Sequence, residues 1–454
     1  MQNSNPAAEN HRAPQGWRWA PAWVLAFVLL WPAPGIAEGV MVLGALAAIA
    51  KLAAARFRGA PRLLSGPAWA LTSVLFFAYW LPEAVSAIDA IDRLRAVREA
   101  AVDLRYLPFL WLVASAVADQ RGRRITFGGL AIIVGAWTID ALLQAITGTS
   151  PLFFGLDKIK NAISHHGMCT DAAAASVDRL SGFLGPCNLK LGQIVASLSP
   201  FALIAASKRW GILGWCVAAA LVGAVILLSG TRAAWVSYAL VLLWSGWGLL
   251  GWKRLLAVFA FGAISIAALG IFVPQVQERL VRSTHLLTAD ESGVDNALSG
   301  RGRIWRAAWC MYSTHPINGV GARGFRDAFG ACDPEPGQLA AWGEGPALHA
   351  HQLLLEVGSE TGTFGLLMWL AGVALGWRAW RYSDAAARDQ ARPAMLALAV
   401  TIFPFNTHLA FYSTFWGGVT LLLAALFAGS LLARSRGFRC GHRSRLRVAR
   451  QQAA

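Results

Sequence analysis

His349-Ala350-His351-Gln352 stands where a polar stretch gives way to an apolar one, and nine residues further on comes Gly362-Thr363-Phe364-Gly365. An imidazole at such an edge can take a proton near neutral pH, and spaced glycines on the helix that follows let a second helix approach closely. The alternative is that two loop histidines meet solvent and the glycines only pack helices. Ser229-Gly230-Thr231-Arg232 joins two apolar runs, where an arginine is costly unless it snorkels to an interface or holds an anion. Ser299-Gly300-Arg301-Gly302-Arg303-Ile304-Trp305 opens a helix-like pattern over Ile304–Met311, and His315-Pro316-Ile317-Asn318-Gly319-Val320-Gly321 follows as a turn. Arginine at a helix start opposes the helix dipole, so Arg301 and Arg303 suit an anion such as a pyrophosphate. Lys190, just inside another apolar run, is a further cation of this kind, equally explained by snorkelling.

The elements that hold these residues follow from composition. Of 454 residues, 56% are hydrophobic and 14% charged, which suits a bilayer and not a water-facing surface. Runs long enough to cross hydrocarbon, roughly 20 residues each, are centred near 27, 46, 77, 111, 136, 197, 220, 241, 264, 364, 403 and 424, about twelve helices in all. The net charge of +16 sits mostly in short gaps between these runs, such as Lys208-Arg209, Lys253-Arg254 and Arg378–Arg392. That is the positive-inside pattern, with contacts to anionic lipid head groups, and it removes the case for nucleic acid. The expected fold is an all-α polytopic membrane protein with one large late outward loop. Its layout is a polar, uncleaved cytoplasmic N-terminus over 1–16, spans one to nine over 17–274, an outward lobe over 275–350, spans ten to twelve over 351–433, and a basic cytoplasmic tail over 434–454. Arg93, Arg95, Arg98 and Arg105 fall on the outward side, which suits a helix lying along the membrane surface.

Cys169, Cys187, Cys310 and Cys332 all fall in outward segments. Cys169–Cys187 with Cys310–Cys332 is the simplest disulfide pairing, and free thiols are the alternative. The outward carboxylates, among them Asp290, Asp327, Asp333 and Glu335, include no Asp-x-Asp pair and no metal-spaced histidine set, so no metal is expected.

Together, the span-end Ser-x-Thr-Arg, the Arg-x-x-x-Trp followed by His-Pro-x-x-Gly-x-Gly, and the His-Gln-x9-Gly-x-x-Gly element resemble the O-antigen ligase and polymerase superfamily. The resemblance covers roughly the last half of the chain. It implies a class C glycosyltransferase-like fold in a Gram-negative inner membrane, multi-pass, with the active site facing the periplasm. The implied reaction moves a polysaccharide from undecaprenyl pyrophosphate to the lipid A-core oligosaccharide, without cofactor or metal and with inversion. The implied catalytic residues are His351, Arg232 and Arg301, with Arg303 the rival for the second arginine, and Arg303, Lys190, His349 and Gln352 as substrate contacts. An O-antigen polymerase, a protein O-oligosaccharyltransferase and a transporter remain the alternatives.

Overall fold

The computed structural model describes residues 17–58, 63–169, 179–272, 277, 301–337, 347–407 and 410–432. Among them the chain is helical, with no strand. In chain order the helices are α1 (Ala20–Leu29), α2 (Pro34–Arg58), α3 (Gly66–Ser86), α4 (Arg93–Asp103), α5 (Tyr106–Ala116), α6 (Gln120–Thr147) and α7 (Pro151–Ser164). After a short turn at Gly182–Leu184 come α8 (Leu191–Ser229), α9 (Arg232–Phe272), α10 (Arg301–Thr314), α11 (Phe325–Cys332), α12 (Leu353–Tyr382), α13 (Ala385–Thr401) and α14 (Thr414–Leu431).

Local chemistry sets the helix ends. Ser65, Asp92, Asp119, Ser150, Asp384 and Ser413 each accept a hydrogen bond from a backbone N–H in the first turn of the helix they precede, which satisfies donors that the helix itself cannot. Helix α8, at 39 residues, and α9, at 41, would each be about 60 Å long if straight, twice the hydrocarbon thickness. Both are broken by a glycine in a conformation that L side chains avoid, Gly211 at φ 63° and Gly251 at φ 72°. The break folds α8 back on itself: a Cβ on Gly192 would stand 2.2 Å from Ser229 Oγ, so the two ends of the helix meet.

Six helices are long and apolar enough to cross a membrane among the described residues: α2, α3, α6, α8, α9 and α14. This is a polytopic helical membrane protein. Helix α14 lies at its centre, apolar all round and 89% buried, as a helix enclosed on every side must be. Tyr79, Phe109, Trp137, Phe201 and Trp416 pack into the same large core.

Two expectations need correction. The run centred near 403 is not a helix centre: α13 ends at Thr401, and an irregular segment leads to Ser413. Pro404 disfavours helical geometry at Phe403, and the carbonyls released there are used elsewhere, Asn406 O accepting from Leu353 N at 3.2 Å and Pro404 O from Gln352. The basic gap over 378–392 is mostly helix as well. Arg378 and Arg381 belong to the end of α12, Arg388 and Arg392 to α13, and only Ser383 and Asp384 lie between. Lys208 pairs with Asp389 at 3.3 Å and Arg392 donates to Trp244 O at 3.0 Å, so these basic segments share one face of the bundle. Of the arginines expected on a surface helix, Arg93, Arg95 and Arg98 lie on α4, and Arg105 stands at the N-cap of α5.

The lobe has a small core of its own, built from Ile304, Ala307, Met311, Val320, Phe325 and Phe329. The disulfide Cys310–Cys332 ties α10 to α11, and Cys169–Cys187 ties the segment after α7 to the entry of α8; this is the pairing expected from the sequence. Residues 275, 276, 278–300 and 338–346 of the expected lobe, and the 1–16 and 433–454 ends, lie outside the described residues.

Candidate functional site

The site is held by a joint made of main chain. Helix α12 is interrupted at Gly362 (φ 65°, ψ −163°), a region open in practice only to glycine. The turn after α10 fits into the break: Thr363 N donates to Pro316 O at 2.8 Å and Phe364 N to Ile317 O at 3.0 Å, while Val320 N and Gly321 N donate to Ser359 O and Glu360 O. A Cβ on Gly362 would lie 2.3 Å from Ile317 C and O, and one on Gly319 2.3 Å from Glu360 C. Gly319, Gly321 and Gly362 therefore serve a strand-like seam between lobe and helix, while Gly365 lies against Thr361 and Val357 of its own helix. They do not serve the helix-on-helix contact that their spacing suggests.

Arg323 locks this joint to the rest of the molecule. Its backbone has φ 60°. Its N–H donates to Glu360 Oε2 at 2.8 Å, its Nε to Tyr412 O at 2.8 Å and its Nη2 to Thr414 Oγ1 at 2.8 Å, and Nη1 pairs with Glu99 on α4. Nothing in the residue pattern marks Arg323 beyond its place after a glycine turn.

His351 sits at the top of α12 with φ 53°, after fully buried Ala350 and before half-buried Gln352. Both ends of the Gln352 amide are committed: Oε1 accepts from Leu355 N at 2.6 Å, capping α12, and Nε2 donates to Pro404 O at 3.0 Å. Gln352 thus orients the backbone that carries His351, a different use from the substrate contact expected of it. The rings of His349 and His351 lie 3.8 Å apart, centre to centre.

Around this pair gathers a crowd of cations. Lys190 precedes α8 with its Nζ 4.7 Å from the centre of the Phe415 ring. Arg232 is the first residue of α9, just after Gly230 turns the chain out of α8 at φ 64°. Arg301 is the first residue of α10, and its Nε is buried with no hydrogen-bond partner among the described residues. Burial, and then the charges of Arg232 and Arg179, hold the Arg301 guanidinium down to about 10, still charged at neutral pH. Partial burial, then Arg301, Lys190 and Arg326, hold the His349 imidazole down to about 4, so it is neutral at pH 7. Like charges brought together in this way invite an anion.

Arg303, two residues further on, is used differently. Its Nε and Nη2 grip both carboxylate oxygens of Asp333 at 2.6 and 2.5 Å, and Nη2 also donates to Glu335 O at 2.9 Å. Both side chains of the pair are only 10% exposed. Arg303 holds the lobe together, and Arg301 is the arginine that faces Arg232. Arg179 and Arg326 join the cluster without having been singled out from the sequence. Arg179 had the same signal as Lys190, a cation at the end of an outward gap, while nothing in the spacing marks Arg326.

Fold and site together define a membrane-embedded helical protein with a cation-lined site beside two histidines, at one end of its bundle. Residues 217–370, from the second half of α8 into the second half of α12, match the family model described as O-Antigen ligase, which puts this stretch in an O-antigen ligase-type family of the ligase and polymerase superfamily, whose members are glycosyltransferase-like enzymes. No curated protein matches the chain.

Proposed function

We propose that this protein is an O-antigen ligase: it moves a glycan from undecaprenyl pyrophosphate to a lipid A-core acceptor on the periplasmic face of the inner membrane. The observation that carries this reading is the meeting of Arg232, from a link between spans, with Arg301, from the lobe, beside the His349–His351 pair. Three distant segments of chain supply one site whose charge suits a diphosphate.

A sugar on a pyrophosphate already has a good leaving group, so the protein's task is to stabilise the charge that grows on the diphosphate as the glycosidic bond breaks. Arg232 and Arg301 supply fixed multidentate donors for that purpose. His351 takes the proton of the acceptor hydroxyl as its oxygen attacks the anomeric carbon from the face opposite the leaving group, which inverts that centre. His349, neutral and in ring contact with His351, supports it, and Lys190 adds charge at the rim. In this reading α8 and α9 each provide two spans, and α1, α5, α12 and α13 join α2, α3, α6 and α14 to make twelve. The face that carries Lys208, Asp389 and Arg392 is cytoplasmic, and Arg232 lies on the opposite one.

The test is reconstitution of purified protein in liposomes with carrier-linked glycan and lipid A-core, in excess EDTA, with products separated on a gel. Wild-type protein yields glycosylated lipid A-core, and His351→Ala loses about 10²–10⁴ in rate, as expected for loss of a general base. Lengthened carrier-linked glycan would make the protein a polymerase, and glycan movement across the bilayer without transfer would make it a transporter.

A further inference from the structure

Helix α7 buries none of its 14 residues. Leu152, Leu156, Ile159 and Ile163 recur at i, i+4, i+7 and i+11, which places them on one face of a helix. Three of them are exposed, Leu152 at 42%, Ile159 at 59% and Ile163 at 78%. Lys160 lies beside this stripe, and Lys158 lies further round on its other side over the Phe154 ring, with Phe154 and Asn161 on the back of the helix.

The helix is nonetheless firmly placed. Buried Asp140 of α6 accepts from Ser150 Oγ at 2.7 Å and from Leu152 N at 2.8 Å, which fixes its start. The Phe153 ring covers Gly185, where a Cβ would come within 2.0 Å of it. At the far end, Asp157 accepts from Met168 N, Lys160 Nζ donates to Gly167 O at 2.9 Å, and the Cys169–Cys187 disulfide ties the following segment to the entry of α8. The apolar stripe is therefore held in place and left uncovered by the other described residues.

Only Gly148 and Thr149 separate the end of α6 from the Ser150 cap, so α7 begins where a membrane-spanning helix leaves the hydrocarbon. It leads to Lys190 at the start of α8, and the contact of Gly192 with Ser229 puts that start level with Arg232. We propose that α7 lies in the head-group layer of the bilayer on the face that holds the cation cluster, with Leu152, Leu156, Ile159 and Ile163 at the acyl boundary and Lys158 and Lys160 on lipid phosphates. A lipid surface fits the stripe better than a second protein. One row of side chains on a helix about 21 Å long offers far less than the roughly 800 Å² per partner of a stable interface. An apolar stripe edged by lysines is the pattern of a helix lying in the membrane plane. Through Phe153 and the disulfide, α7 then sets the depth of the cation cluster relative to the lipid phosphates.

The experiment uses the full-length protein in liposomes of phosphatidylethanolamine and phosphatidylglycerol. A nitroxide is placed at Ile163→Cys or at Asn161→Cys, each with Cys216→Ser and Cys440→Ser, and power-saturation spectra are recorded with oxygen and with a water-soluble nickel chelate. The Ile163 label should respond to oxygen and be shielded from nickel, and the Asn161 label should do the reverse. Equal access of nickel to both labels would overturn the proposal. So would an Ile163 label shielded from both reagents, which would mean a protein contact. Neither readout depends on the reaction assigned above.

Discussion

Gly362→Ala tests whether the break in α12 is built for the lobe turn. The new methyl group would lie 2.3 Å from Ile317 C and O and 2.5 Å from Asn318 N, and all three are backbone atoms that cannot rotate aside. The backbone conformation itself costs a non-glycine residue about 1–3 kcal/mol. Retreat of the turn would also weaken the bonds from Thr363 N and Phe364 N, each worth about 0.5–1.5 kcal/mol net. The loss should be about 2–5 kcal/mol, read as a fall in Tm of the order of 2–5 °C for a chain of this size, measured in detergent by intrinsic fluorescence. Gly358→Ala, one turn earlier in the same helix, is the control. Its Cβ would meet Tyr312 and Leu366 at 3.5–3.6 Å, an ordinary contact, and alanine is the better helix former, so it should leave Tm unchanged or raise it slightly. Equal Tm values for Gly362→Ala and wild type would refute the joint.

Arg303→Ala should destabilise the lobe by about 3–5 kcal/mol because it strands Asp333 without its partner, while the Arg303→Leu, Asp333→Leu pair should recover most of that loss; a stable Arg303→Ala with poor donor binding would return Arg303 to the anion site. Arg232→Lys and Arg301→Lys should each slow transfer about 10- to 100-fold, from loss of a charge-assisted contact of about 1.5–3 kcal/mol, with Tm unchanged, and full activity in either would remove that arginine from the mechanism. The folded His349 imidazole titrates near 4 against an ordinary 6.5, so between those values the unfolded chain binds the proton and the folded one does not. That contribution to stability is intact above pH 6.5 and is lost as pH falls toward 4, so Tm should drop less steeply between pH 7 and 5 in His349→Asn than in wild type. Identical slopes would show that His349 is not held neutral.

The helical, membrane-crossing character of the fold was legible because hydropathy runs and basic gaps depend on local composition alone. The helix over Ile304–Met311 and the turn at His315–Gly321 were legible for the same reason, through periodicity and turn residues. The end of α13 at Thr401 was not, since the segment that follows is nearly as apolar as the helix and leaves it to serve Leu353 and Gln352. The choice between Arg301 and Arg303 required knowing where Asp333 lies, thirty positions from Arg303. Arg323 stayed hidden because its four partners come from α4, α12, the segment before α14 and the first residue of α14, and no spacing in one chain reports so dispersed a set.

The seam between the His315–Gly321 turn and the broken helix has a consequence for how such a protein can change over generations. Its bonds run from backbone to backbone, so the side chains along it, Ile317, Val320 and Phe364 among them, can be exchanged without touching the attachment. What cannot be exchanged is the bare Cα at Gly319 and Gly362 and the count of residues between Gly362 and His351. Descendants of this chain could lose nearly every other letter here and still hang the lobe over the histidine at the same height, leaving a signature made of intervals more than of residues.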